Sequence, residues 1–98
     1  MLQSFRDRGT RDVFHSTASK AASKACPPDL WQSAKRRLDQ LNQAHILDDL
    51  RAPPGNRLEA LEGDRRGQHS IRINDQFRIC FTWTMAGPVD VEIVDYHG

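Results

Sequence analysis

The chain has 98 residues, 38% of them apolar, and its 14 lysines and arginines stand against 13 acids for a net charge of +1. These values fit one small domain with a modest core. They exclude a membrane span, since no run approaches ~18 apolar residues, and they argue against a protein that coats polyanions by bulk charge. The opening stretch MLQSFRDRGTRDVF lacks the apolar segment of a signal peptide. Cys26 and Cys80 are therefore expected to be reduced thiols in a cytoplasmic protein. His15, His45, His69 and His97 are scattered without metal-ligand spacing, so neither metal nor cofactor is expected.

Residues 1–26 carry few large apolar side chains, chiefly Leu2, Phe5, Val13 and Phe14, and STASKAASKA is small and polar. The stretch 16–25 is expected to bury little and to be mobile or to order on a partner, while Leu2 and Phe5 are available to pin a short first element to the domain. Pro27, Pro28 and Asp29 form a helix start. Leu30, Ala34, Leu38 and Leu41 then recur at helical spacing, predicting an amphipathic helix over about 28–44. A short turn is expected at 46–50 and a loop at 52–56, where two prolines and a glycine follow one another.

Beyond that loop the period changes from helical to two. Leu58 and Ala60 flank Glu59 in a short strand, and a turn runs from Gly63 to Gly67. Ile71 and Ile73 alternate with Ser70 and Arg72, and Asn74-Asp75-Gln76 closes a hairpin. Phe77, Ile79, Phe81 and Trp83 alternate with Arg78, Cys80, Thr82 and Thr84, followed by a turn at 86–88 and a strand through Val89, Val91 and Ile93. The fold class is α+β: one domain over 1–98, with a small antiparallel sheet covered on one face by N-terminal helices. Every lysine-or-arginine position after residue 50 is an arginine, the cation whose planar fork suits phosphate.

The stretch DDLRAPPGNRLEALEGDRRGQHSIRINDQFRICFTW, followed by DVEIVDYH, resembles the HigB branch of the RelE/ParE toxin superfamily. PPDLWQSAKRRLDQL extends the resemblance more loosely. The turn L-x-G-D-R-x-G, the hairpin N-D-x-F-R-I and the terminal D-Y-H are spaced as one unit. The resemblance implies a RelE-like fold and the toxin of a bacterial type II toxin–antitoxin pair. It further implies cleavage of messenger RNA in the ribosomal A site without metal or cofactor. The implied partners are a helix-turn-helix antitoxin of the HigA kind and the ribosome with its message, with DNA reached only through the antitoxin and no membrane. Glu59 and Glu62 stand where several members carry histidine and lysine. Glu59 is instead similar to the YoeB-like branch, in which a glutamate acts as base beside an arginine and a terminal histidine.

The chemistry can be assigned to residues in this light. Metal-free RNA cleavage needs a base for the 2′-hydroxyl, cations for the phosphorane and an acid for the leaving oxygen. Glu59 is the candidate base, Arg78 the catalytic cation and His97 the acid. Arg72 and Arg65 are candidate phosphate contacts, Tyr96 a stacking or hydrogen-bonding group, and Asp95 a residue that orients a neighbour. The meander brings Arg78 and the end of the last strand to one edge, which Glu59 must also reach. Structural alternatives stand beside these roles: a solvent-facing strand position for Glu59, an ion pair to Asp75 or Asp95 for Arg78, a tail residue for His97, a plug under the sheet for Tyr96 and a packed imidazole for His69. Two other functions stand beside the cleavage: gyrase poisoning of the ParE kind, and a degenerate toxin that serves only as co-repressor with its antitoxin.

Overall fold

In a computed structural model, which describes residues 1–96, three helices cover one face of a four-stranded antiparallel sheet. Helix α1 spans Arg8–Phe14, α2 Lys20–Ala25 and α3 Trp31–Gln43. Strands β1 (Glu59–Ala60), β2 (His69–Arg72), β3 (Phe77–Thr84) and β4 (Gly87–Asp95) lie in sequence order, each paired with the next. The expected helix over 28–44 begins as a single 3-10 turn at Pro28–Leu30 and becomes α-helical at Trp31. The turn expected at 46–50 is a 3-10 helix over Leu47–Arg51.

Alternation in the strands decides what is buried. Ile71, Ile79, Phe81 and Val91 are fully enclosed with Leu38, Leu41 and Ala34 of α3. Each large side chain sealed in this way contributes ~1.5–3 kcal/mol relative to exposure. His69 lies opposite Phe81, and the two rings stack with centroids 6.3 Å apart, so this imidazole is packed against the core. The hairpin between β2 and β3 is closed by Asn74, whose Oδ1 accepts from the backbone N–H groups of Gln76 and Phe77.

Within 16–25 Ala22 alone is buried, as expected of that stretch, but the segment around it is built into the fold. Thr10, Val13, Ala22 and Cys26 are all buried. The segment buries surface through close approach, where large side chains are absent. A Cβ added at Gly9 would lie 2.3 Å from the Ala21 carbonyl oxygen, so only glycine lets α1 approach α2 this closely. Side chains cap both helices: Asp7 accepts from Thr10 N–H and Ser19 from Ala22 N–H. Ser19 also donates to Asp12, and Trp31 Nε1 donates to the Ala22 and Cys26 carbonyls, tying α2 to both neighbours.

The first residues are pinned to the domain, as Leu2 and Phe5 suggested, and both pack against the core. Phe5 bridges Val91 in parallel orientation, and Gln3, Ser4 and Arg6 exchange backbone hydrogen bonds with Pro88 and Val91. The outer edge of β4, otherwise a row of unpaired groups, is thereby covered. A bulge in β4, where Asp90 adopts φ 53°, shifts the register between Cys80 and Thr82 and accommodates this pairing. Thr10 Oγ1 completes it by accepting from Ile93 N–H.

Two outcomes test this arrangement. Gly9→Ala forces α1 and α2 apart and should cost ~1–3 kcal/mol in urea unfolding; an unchanged midpoint would mean that the helical hairpin is not packed as described. Cys26 and Cys80 are free and buried, and burial pushes the Cys26 thiol up to about 11 and raises that of Cys80. Both should react with a disulfide reagent far more slowly than in the urea-unfolded chain. Fast labelling of either in the folded chain would contradict the burial.

Candidate active site on the polar face of the sheet

The face of the sheet turned away from the helices carries the candidate residues. Cross-strand partners in an antiparallel ladder present side chains to the same face. Glu59 lies opposite Ser70, Ser70 opposite Cys80, and Cys80 opposite Glu92, forming one row across all four strands. In the next row Arg72 lies opposite Arg78 and Arg78 opposite Val94. Arg57, Glu59, Arg72, Asn74, Asp75, Arg78 and Tyr96 line an open pocket of about 380 Å³ at this end of the sheet, within the size range of small-ligand sites.

Arg78 is the fixed point of the pocket. Its side chain is only 13% exposed. Nε donates to Ser70 Oγ at 2.8 Å and Nη2 to the Arg57 carbonyl at 2.7 Å. Nη1 is left toward Glu59, whose carboxylate oxygen lies 3.8 Å away and whose side chain is 57% exposed. Neither Asp75 nor Asp95 is the ion-pair partner found for Arg78. Asp75 instead pairs with Arg72. The Arg72 carbonyl accepts from Arg37 Nε of α3 at 3.1 Å, which anchors the end of β2.

Tyr96 is held at the pocket by its backbone, its N–H donating to the Gln76 carbonyl at the hairpin tip at 2.7 Å. Its ring is 45% exposed, and its hydroxyl lies 3.5 Å from Cys80 Sγ. Partial burial and the Cys80 contact push the phenol up to about 12, against the opposing pull of Arg65 and Arg78. It is therefore neutral at physiological pH. Asp95, opposite Phe77, does not line this pocket and accepts from Gln76 Nε2 at 3.2 Å. Arg65 also lies outside it, donating to Glu92 at 3.1 Å and to Gln68 at 3.1 Å. His97 lies outside the described residues.

Of the residues named from sequence, Glu59, Arg72, Arg78 and Tyr96 therefore share one pocket. Arg57, Ser70 and Asn74 belong to the arrangement and were missed. Arg57 sits in a loop with φ 46° and contributes through its main-chain carbonyl, which no side-chain pattern encodes. Ser70 had a legible signal, because it occupies the polar phase of β2 together with Arg72.

A second cleft, of about 360 Å³, lies between α1 and α3 and is lined by Val13, Trp31, Lys35 and Asp12 among others. Its lining is largely apolar. Its carboxylate, Asp12, is engaged by Ser19 and Arg8, so the acid–base chemistry is better placed on the sheet. Among the described residues no cluster of three His, Cys, Asp or Glu could hold a metal ion, and no helix is long and apolar enough to cross a membrane.

Comparison with known proteins identifies the family. The chain is 46% identical over 57 residues to Toxin HigB-1 of Vibrio cholerae serotype O1, and 37% identical over 57 residues to a protein of Haemophilus influenzae described only as uncharacterised. Each alignment covers 58% of this chain, and the chain spans 60% and 56% of the two relatives' lengths. The family model for the RelE-like toxin of type II toxin–antitoxin system HigB matches residues 3–97. With nearly its whole length matched and an α+β fold of the expected kind, the chain belongs to the HigB-like family of RelE-like type II toxins.

Proposed function

We propose that this toxin is a metal-independent endoribonuclease that cuts messenger RNA in the ribosomal A site, and that a helix-turn-helix antitoxin of the HigA kind restrains it. The observation that supports this reading best is the pairing of Glu59 with Arg78, 3.8 Å apart, in an open pocket that also holds Arg72, Arg57 and Tyr96. A carboxylate beside an immobilised guanidinium suits the attack of a 2′-hydroxyl on its own 3′-phosphate. Glu59 accepts the hydroxyl proton as the 2′-oxygen forms its bond to phosphorus. Arg78 Nη1 and the Arg72 guanidinium take up the charge that grows on the non-bridging oxygens. The bond from phosphorus to the 5′-oxygen then breaks, and His97 gives that oxygen a proton. The products are a 2′,3′-cyclic phosphate and a 5′-hydroxyl end. Tyr96, neutral and half-exposed, offers a ring for an unstacked base and a hydroxyl for a phosphate oxygen.

Sequencing of messenger ends after induction of the toxin should reveal 5′-hydroxyl ends in phase with the reading frame. Broken DNA with intact messengers would point to gyrase poisoning and refute the cleavage. Glu59→Gln, isosteric and exposed, should slow cleavage ~10²–10⁴-fold with an unchanged unfolding midpoint. His97→Ala should relieve growth arrest in cells that express the toxin alone; full toxicity of that folded variant would remove His97 from the reaction. Tyr96→Phe keeps the ring and loses one hydroxyl, so its loss should be far smaller, roughly 2–13-fold for a single hydrogen bond.

A further inference from the structure

The guanidinium of Arg78 is oriented by two groups that lie outside the reacting set. We infer that Ser70, with the main-chain carbonyl of Arg57, is the positioning element that leaves Nη1 as the one part of the Arg78 fork turned toward Glu59 and a bound phosphate. The inference rests on the RNA-cleavage reading only for its catalytic consequence; the clamp itself stands on geometry.

Three facts converge. Ser70 is fully buried, yet its hydroxyl faces the polar side of the sheet, where Arg78 Nε donates to it at 2.8 Å. Arg57 is a non-glycine residue at φ 46° and ψ 58°, and its carbonyl accepts from Arg78 Nη2 at 2.7 Å. Arg78 lies directly opposite Arg72, and like charges so placed repel. An unclamped guanidinium would swing away from that neighbour toward solvent. Acceptors on two different segments, β2 and the loop before β1, keep it in place and consume the donors on one flank. A flexible arginine would have to be ordered in the transition state, whereas this one is already aimed. The hydroxyl is small enough to be enclosed and is an acceptor that stays neutral at every working pH, so it orients the cation without quenching its charge. A carboxylate in its place would do the reverse.

The test uses the full chain, labelled with ¹⁵N at arginine. In Ser70→Ala the Arg78 Nε–H resonance should broaden and exchange with solvent about tenfold faster, the worth of one modest hydrogen bond. On translating ribosomes the same variant should lose ~100-fold in kcat with little change in KM, the cost of misaiming a catalytic group by about 1 Å. Ser70→Thr, which keeps the oxygen acceptor, should recover most of both. Should Ser70→Ala fail to fold, Ser70→Cys carries the same test, because its thiol, though bulkier, is only a weak acceptor. An Nε–H signal equally sharp and equally protected without the hydroxyl overturns the inference, whatever the cleavage assay gives. A loosened signal, with cleavage unaffected in both Ser70→Ala and Arg78→Ala, upholds the clamp and overturns the RNA-cleavage reading instead.

Discussion

A one-residue slip of β2 against β3 would turn Arg72 into the core and push Ile71 out onto the polar face, because side chains alternate with a period of two. That slip is opposed by the apolar seal. Ile71 is fully buried with Ile79 and Phe81, and its exposure alone would cost ~1.5–3 kcal/mol before the cost of burying a guanidinium. The force that fixes the fold thus also sets two guanidinium groups opposite each other. Their repulsion is offset by Asp75 on one and Glu59 on the other. Neither acid is deeply buried, so both ion pairs are weak and open to exchange. Within the proposed reaction, a phosphate can take the place of either carboxylate through charge-assisted bonds. The pocket is in this sense pre-charged for an anion.

The N-terminal third supports this face indirectly. Residues 3–6 pair with the outer edge of β4, and Thr10 receives the N–H of Ile93. Glu92, in the row that carries Glu59 and Ser70, is gripped by Arg65 at 3.1 Å and approached by Arg6 at 3.8 Å. The first segment, the turn after β1 and the last strand therefore meet at one carboxylate. Strand β4 needs such restraint, since it carries Val94 beside Arg78 and delivers Tyr96 to the pocket.

Much of this was legible in the sequence, for identifiable reasons. Period-two alternation through Phe77–Thr84 located β3, and the spacing of Ala34, Leu38 and Leu41 located α3, because in both cases burial dictates residue type. That Arg78 and the end of β4 share one edge followed from strand order, whereas the arrival of Glu59 there was required by the resemblance and not derivable from spacing. Two things were not legible. The close packing of α1 on α2 through Gly9 was not legible because it depends on backbone proximity, which apolar volume does not report. The placement of Arg65 away from the pocket depends on side-chain competition, since Glu92 captures it. That preference does not follow from alternation, whereas the place of Asp95, in the phase of Ile93 and opposite Phe77, does.

The two tyrosine contacts bear on how the proposed reaction divides its protons. Arg65 and Arg78 both favour a phenolate at Tyr96, as a catalytic acid would need, yet partial burial and the Cys80 thiol outweigh them and carry the phenol to about 12. A general acid works best with a pKa near the operating pH. At neutral pH the leaving 5′-oxygen would gain little from so reluctant a donor. Within the proposed mechanism Tyr96 is therefore a binding group, and the proton must come from a side chain that titrates near neutrality. That assignment falls to an imidazole, and the proposed mechanism gives it to His97, the next residue in the chain. The hydrogen bond from Tyr96 N–H to the Gln76 carbonyl ties the end of β4 to the hairpin tip and so holds the Tyr96 ring at the pocket.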